Sequence, residues 1–360
     1  MNILLAYGHD SYSTAVYFER SLKKQHHVVF CGTPSPARPE GYPFFVDLPE
    51  IIRARGIQPD LYVYIDAHRA CFPLGTEKVD CPTAGLMIDL YPNSDMEAKS
   101  SALQLFDYGF VMQKDHIARI RRWHGLETSW TAPACDQEIH RDHQLPRIYD
   151  VGFVGGLGGV HRRRTLLLER LAGKYRMNDF RRFIPPEEMG RVYSQSKIVC
   201  NFCTPWNDIN MRMFEATACG ALLITPRIEN GQPELYREGE HIVTYQTEEE
   251  LFQKVEYYMA NESQRARIAA AGQAHTLQHH TYDCRVDAML KEVFDEHGGA
   301  RRSRLRTASV AEARKAARPY LAQLMLREFT GNFHRVGFDG TMLPRLVRNF
   351  YRAVIVPRLV

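Results

Sequence analysis

Long apolar runs are what this sequence of 360 residues most clearly lacks. No stretch approaches the roughly 20 consecutive apolar residues that a membrane-spanning helix needs. The first nine residues have neither the basic leader nor the apolar length of a signal peptide. Internal repeats and low-complexity segments are also missing. We therefore expect a globular protein that stays in the cytoplasm.

Cysteine is scarce, with eight residues scattered along the chain, mostly inside apolar runs. That distribution is typical of reduced, buried thiols, so we expect no disulfides. Cys200 and Cys203 have the spacing of a metal-binding pair, but no second pair of cysteines or histidines stands at metal-binding spacing. We therefore expect no zinc there.

Acidic residues are scarce only at the end of the chain. Residues 300–360 carry 13 of the 46 Lys and Arg residues but three of the 42 Asp and Glu residues, a net charge of +10 against −6 for residues 1–299. Helical patterns at about 310–329 and 343–356 predict a basic helical extension, and the second has an apolar stripe that must be buried. Such a tail can dock on the acidic body or lie as a peripheral segment on an anionic membrane surface. We favour docking, keep the membrane as the alternative, and expect no nucleic acid.

Short apolar runs alternate with amphipathic stretches in the first half, which is typical of a parallel sheet with helices on its faces. The pattern predicts strands at 3–7, 27–31, 61–65, 83–88, 108–113 and 128–133, and helices at 13–24 and 114–124. It indicates a Rossmann-like domain over residues 1–148.

A second series of the same kind begins with a strand at 149–154, which leads into the glycine-rich loop 155–159. The pattern then predicts strands at 198–202 and 221–225, and helices at 161–174, 186–194, 211–219, 247–259, 262–275 and 282–297. We expect a second Rossmann-like domain over 149–299. Two such domains would bind a ligand in a cleft at the carboxyl ends of their strands.

The most informative stretch is a predicted helix that ends in glycine and precedes a buried strand. It reads Asn210-Met211-Arg212-Met213-Phe214-Glu215-Ala216-Thr217-Ala218-Cys219-Gly220 and continues Ala221-Leu222-Leu223-Ile224-Thr225. This run resembles the donor-binding segment of GT-B glycosyltransferases. More closely, the chain is similar to the CgeB-like (spore maturation protein-like) group, through Glu234-Leu235, Gly239-Glu240, Tyr245, Glu248 to Leu251, Arg265 to Gly272, and His280-Thr281-Tyr282 with Arg285. The resemblance covers about residues 150–290.

The resemblance implies a GT-B fold and the transfer of a hexosyl group from a nucleoside-diphosphate sugar to a glycan, a lipid-linked saccharide or a protein. A donor site without a metal must stabilise the charge that grows on the departing diphosphate, through backbone N–H groups and fixed cations. Glu215 would accept hydrogen bonds from the ribose hydroxyls, and Arg212 would contact the diphosphate. Related families have a second acid where this chain has Asn207. The candidate donor-binding residues are Gly155, Gly156, Gly158, Arg162, Asn207, Asn210, Arg212, Glu215 and Tyr245.

The glycine-rich loop and the arginines that follow it also have a plainer interpretation. Glycine-rich turns after strands are common in α/β proteins, and residues 155–161 do not have the dinucleotide-binding pattern, because His161 stands where its third glycine belongs. Arginines 162–164 could be a solvated helix face.

The first domain should hold the acceptor and any general base. Histidine or a carboxylate can deprotonate an acceptor hydroxyl, whereas a retaining reaction needs no such base. The candidates at strand ends are Asp89, which matches a recurrent acid of the resembling group, and His9, Asp10, Asp66 and His68. For the histidines, local hydrogen bonding in a loop is the stronger interpretation.

Two other functions stay open at this point. A nucleotide-sugar epimerase shares the fold, but the resemblance is to transferases. A catalytically idle scaffold, whose basic tail binds a membrane or a partner, is kept open by Asn207.

Overall fold

The apolar runs of the first 131 residues form one parallel sheet in the computed structural model. Its strands are Asn2–Ala6 (β1), His27–Phe30 (β2), Leu61–Asp66 (β3), Thr83–Met87 (β4), Tyr108–Val111 (β5) and Ser129–Trp130 (β6). They lie in the order β2-β1-β3-β4-β5-β6, and each neighbouring pair is parallel. Every residue of β3 and β4 is buried, which explains why these strands show no alternation of polar and apolar residues.

The structure describes residues 1–294 except 12, 43–46, 67–74, 89, 91–95, 158–160 and 203–207; beyond 294 it describes only 315, 318 and 322. The predicted tail helices therefore lie outside the described residues, apart from these three helical positions. The predicted docking of the tail stays a prediction.

Helices follow the strands in this first part of the chain. They are Thr14–Lys23 (α1), Leu48–Arg55 (α2), Met96–Ser100 (α3) and His116–His124 (α4), with short 3-10 helices at Thr76–Lys78 and Ser101–Leu105. The Ser13 side chain caps α1 by accepting a hydrogen bond from the Ala15 N–H. α2 ends at Gly56, which has a left-handed backbone conformation (φ 60°).

A second parallel sheet lies further along the chain. It contains Tyr149–Gly152 (β7), Ser196–Cys200 (β8), Leu222–Pro226 (β9) and Val243–Tyr245 (β10), in the order β10-β9-β8-β7. The helices are Arg162–Ala172 (α5), Pro186–Ser194 (α6), Arg212–Ala218 (α7), Gln232–Leu235 (α8), Glu248–Ala260 (α9), Glu262–His279 (α10) and Tyr282–Phe294 (α11). The core of this part packs the apolar face of α5 and residues of α9 and α10 against the sheet.

The chain forms two compact units. The first contains Met1–Thr131 and the described residues from Val286 onward, and the second is Ala132–Arg285. Both units are built on a parallel sheet with helices, so the predicted α/β class with two Rossmann-like units is confirmed. The domain boundaries predicted at 148 and 299 stay predictions. Within the described residues, no helix is both long and apolar enough to cross a bilayer.

Candidate functional site

Glu215 is a buried acid in the middle of α7, with 4% of its surface exposed. Burial raises the pKa of its carboxyl to about 7, although Arg212, three residues earlier on the same helix, partly lowers it. Burying a carboxylate costs free energy, and proteins place such groups at sites where a ligand or a reaction needs the charge. With a pKa of about 7, this carboxyl titrates in the neutral range.

The His140 side chain faces Glu215 from outside α7. Its Nε2 lies 3.8 Å from Glu215 Oε1, and the histidine is fully buried. The Asp136 N–H donates a hydrogen bond to His140 Nδ1 at 3.1 Å. Sequence analysis missed this residue, because nothing in its spacing connects position 140 to a helix 75 residues later.

The Arg212 side chain spans two strand ends. Its Nε and Nη2 donate to the Val154 carbonyl at 3.1 and 2.7 Å, just after β7, and its Nη1 donates to Asn201 Oδ1 at 2.8 Å, just after β8. The guanidinium also stacks 4.3 Å above the Phe153 ring. Arg212 thus holds together the two loops that follow these strands, and its contact with a diphosphate stays a prediction.

Gly155 is required by the position of Arg212. A Cβ at this position would lie 2.3 Å from Arg212 Nη2, and the backbone φ of 154° is one that other residues rarely adopt. Its neighbour Gly156 accepts a hydrogen bond through its carbonyl from Arg164 Nη1 at 3.0 Å. Two arginines therefore hold the backbone of this loop, through the carbonyls of Val154 and Gly156.

The three arginines at the start of α5 have different surroundings. Arg164 is buried and also donates to the Phe202 carbonyl at 3.0 Å, so it joins the loop after β7 to the loop after β8. Arg163 is exposed and pairs with Glu248 at 2.9 Å. Arg162 lies exposed on the helix. The predicted donor role of Arg162 stays a prediction. Sequence analysis did not single out Arg164.

Asn201 gathers two further predicted residues. Its side-chain oxygen accepts a hydrogen bond from Asn210 Nδ2 at 3.0 Å, and its carbonyl accepts one from the Tyr245 hydroxyl at 2.9 Å. Asn201 itself was not predicted. Two predicted donor residues, Gly158 and Asn207, lie outside the described residues.

The predicted acceptor-side residues belong to the first unit. Asp66 ends β3 and is ion-paired with Lys99 at 2.5 Å; Lys99 also donates to the Ile88 carbonyl at the end of β4. His9 follows β1, with its Nδ1 3.5 Å from Ser35 Oγ. The carbonyl of Asp10 accepts a hydrogen bond from the Ser13 N–H before α1. Asp89 and His68 lie outside the described residues. The catalytic roles of these five predicted residues stay predictions.

Metal-ligating side chains do not converge in the part of the chain that the structure describes: no group of three or more His, Cys, Asp or Glu residues there is arranged to hold an ion. The described cysteines are all free thiols.

Comparisons with known proteins give the class of this chain. Residues 157–291 match a family model described as glycosyl transferase-like. Similar solved structures include sucrose-phosphate synthase from Thermosynechococcus elongatus, with 13% identity and a TM-score of 0.58, covering 81% of this chain and 98% of that one. Anabaena Alr3699/HepE in complex with UDP and glucose has 12% identity and a TM-score of 0.59, covering 81% and 99%. A glycosyltransferase from Rickettsia africae has 13% identity and a TM-score of 0.58, covering 82% and 99%.

No curated protein matches the sequence. The structural likeness shows the GT-B fold, and the domain match over 157–291 makes the chain a glycosyltransferase, as the sequence predicted.

Proposed function

We propose that this glycosyltransferase transfers a hexosyl group from a UDP-sugar to a glycan, lipid-linked saccharide or protein acceptor, and that Glu215 binds the ribose of the donor. One observation carries the proposal: Glu215 is a buried carboxylate on the helix that the sequence run shares with donor-binding segments. UDP is the first nucleotide to test, because Anabaena HepE is described in complex with it. The residues that follow this run, from Glu234 to Arg285, support placing the chain in the CgeB-like group.

A ribose suits the surroundings of Glu215. A carboxylate that leaves water loses its hydrogen bonds, and two adjacent hydroxyls can replace them by donating to its two oxygens. Hydrogen bonds to a charged acceptor are stronger than those between neutral groups. Nucleotide binding would thus compensate the burial that raises the pKa of this carboxyl.

The departing diphosphate needs positive charge, and we propose that this chain supplies it without a metal. Arg212 and Arg164 are buried cations at the loops after β7 and β8. Their hydrogen bonds to the carbonyls of Val154 and Gly156 fix the peptide planes of the loop after β7. The N–H groups of these peptides are therefore oriented before any ligand binds. Fixed donors of this kind stabilise developing charge without reorganisation.

The test of the ribose contact combines a variant with a modified ligand. We expect Glu215→Gln to weaken UDP binding about 10- to 100-fold in isothermal titration calorimetry, because hydrogen bonds to a charged acceptor are lost. In the wild type, 2′-deoxy-UDP should bind at least about tenfold more weakly than UDP, and in Glu215→Gln this difference should shrink to below about threefold.

The matched control is Glu249→Gln, which changes an exposed acid on α9 and should bind UDP like the wild type. Equal UDP affinity of Glu215→Gln and the wild type would remove Glu215 from the donor site. Metal independence is tested in the same instrument: the dissociation constant of UDP should agree within about twofold in EDTA and in MgCl₂. A requirement for magnesium would refute it.

A further inference from the structure

The hydrogen bond at His140 Nδ1 fixes where this imidazole carries its proton. The Asp136 N–H is a donor, so the Nδ1 that it contacts at 3.1 Å must be an unprotonated acceptor. A neutral imidazole then has its proton on Nε2. Protonating Nδ1 as well would break this bond inside a fully buried residue, so the ring is held neutral.

A tight turn fixes the orientation of the ring. The Asp136 carbonyl accepts hydrogen bonds from the N–H groups of Ile139 and His140, at 3.1 and 2.7 Å, and Asp136 Oδ1 accepts one from Glu138 N–H at 2.9 Å. The turn brings Nδ1 back onto the Asp136 N–H, so the opposite edge of the ring points away from it. That edge carries Nε2, 3.8 Å from Glu215 Oε1.

We propose that His140 is a positioning residue of the donor site, whose Nε2–H faces the Glu215 carboxylate and keeps it ionised and oriented for the ribose hydroxyls. The inference rests on the proposed role of Glu215 in ribose binding. A donor that faces a carboxylate stabilises its charged form over its neutral form. At 3.8 Å the contact is electrostatic and longer than a hydrogen bond, so the carboxylate oxygens stay available to a ligand.

The other ionisable groups around Glu215 do not replace His140 in this role. Cys135, Cys219 and Tyr193 interact with Glu215, but burial raises the pKa of each of them, so they are neutral near pH 7. Arg212 is charged and lowers the pKa of Glu215. Its hydrogen bonds to Val154 and Asn201 direct its guanidinium toward the strand ends.

The experiment compares two substitutions of similar shape. His140→Met removes the donor, and His140→Gln keeps a side-chain N–H. UDP binding is measured by calorimetry in two buffers of different ionisation enthalpy, which reports the protons released on binding. UDP itself has a phosphate group that titrates near pH 6. The number of protons released by Glu215→Gln is therefore subtracted from the number released by each protein.

If UDP binds only to the ionised form of Glu215, binding releases a proton from every molecule in which Glu215 was protonated. With its pKa about 7, the wild type should release about half a proton more than Glu215→Gln at pH 7. If His140→Met raises this pKa by about one unit, release approaches one proton, and UDP affinity falls about fivefold at pH 7 but less than twofold at pH 9. His140→Gln should behave like the wild type.

His143→Met is the matched control, because its ring lies beside Gly190 on α6. Wild-type affinity and proton release in a folded His140→Met would overturn the role of His140, while a weakened Glu215→Gln would leave the ribose contact standing. If Glu215→Gln binds UDP like the wild type, the proposed function fails instead. Should His140→Met not fold, His140→Gln decides: a wild-type profile supports the inference, and a shifted one refutes it.

Discussion

Arg164 and Arg162 differ by two positions on α5 but have opposite environments. Arg164 lies on the same helical face as Leu167, Leu168 and Leu171, at the i, i+3, i+4 and i+7 spacing of a buried stripe. Arg162 is exposed. The sequence therefore contained the signal that separates them, because only Arg164 continues the apolar stripe. Its guanidinium takes the place of a core side chain and binds two carbonyls, of Gly156 and Phe202.

This difference predicts unequal losses of stability. Arg164→Met should lower the free energy of unfolding by about 2–4 kcal/mol, since the buried Phe202 carbonyl and the partly buried Gly156 carbonyl lose a charged donor. Arg162→Met, the matched control, should change it by less than about 0.5 kcal/mol. Urea unfolding followed by fluorescence measures both. Equal effects of the two substitutions would show that the carbonyl contacts of Arg164 do not stabilise the fold.

At the same scale, the site shows how far residue patterns reach. Glu215 and Arg212 were found because they belong to a continuous run, whose residues stay close together on one helix. His140 was not found, since its contact with Glu215 depends on a turn at Asp136 and on the packing of two distant segments. A contact between distant segments leaves no periodic pattern in the sequence.

Elements with a clear period, or with a continuous apolar run, were predicted well. All six strands of the first sheet begin and end within about three residues of their predicted bounds, and the predicted helix 186–194 coincides with α6. The elements that sequence analysis missed include α2, α8 and β10, which have eight, four and three residues. Such short elements show too few turns or alternations for a period to stand out.

The packing of α10 gives a prediction at the element scale. Gly272 lies where α10 meets the backbone of His241, and a Cβ there would be 2.3 Å from the His241 carbonyl oxygen. Four residues later, Thr276 donates to Thr217 Oγ1 on α7 at 2.8 Å, so α10 cannot shift without disturbing the helix that carries Glu215. Gly272→Ala should therefore destabilise the protein by about 1–3 kcal/mol, although alanine favours helix.

Gly173→Ala is its control. Gly173 ends α5 with a right-handed φ of −71°, and a Cβ there meets only ordinary contacts, at 3.5 Å or more. This substitution should be neutral or stabilise by up to about 1 kcal/mol. Thermal unfolding of both variants separates the helix preference of alanine from the effect of the close packing at His241. A stabilised Gly272→Ala would mean that α10 moves away from His241 at no cost.

For the whole molecule, the two units carry opposing contributions to the dependence of stability on pH. Contacts with Arg38, Lys23 and Tyr7 hold the pKa of Glu19 below its usual value despite its burial, so this first-unit acid stabilises the fold above the unfolded pKa, and that stabilisation is lost as the pH falls. Glu215 in the second unit has the opposite sign. Its folded pKa of about 7 lies above the ordinary value of 4.5, so folding favours its protonated form. Its favourable contribution is present below the unfolded pKa and is lost as the pH rises to about 7.

The difference between the wild type and Glu215→Gln isolates the second contribution, because every other titrating group is shared. We expect the wild type to lose stability relative to Glu215→Gln as the pH rises from about 4.5 to 7, by at most about 3 kcal/mol, and the difference to level off above that range. Melting temperatures of both proteins across this range measure it.

Saturating UDP should then raise the melting temperature of the wild type more than that of Glu215→Gln at pH 8, since a ligand that binds the ionised carboxylate stabilises the native state by mass action. A pH-independent difference in melting temperature would mean that Glu215 does not titrate in this range, and that its burial is not what nucleotide binding compensates.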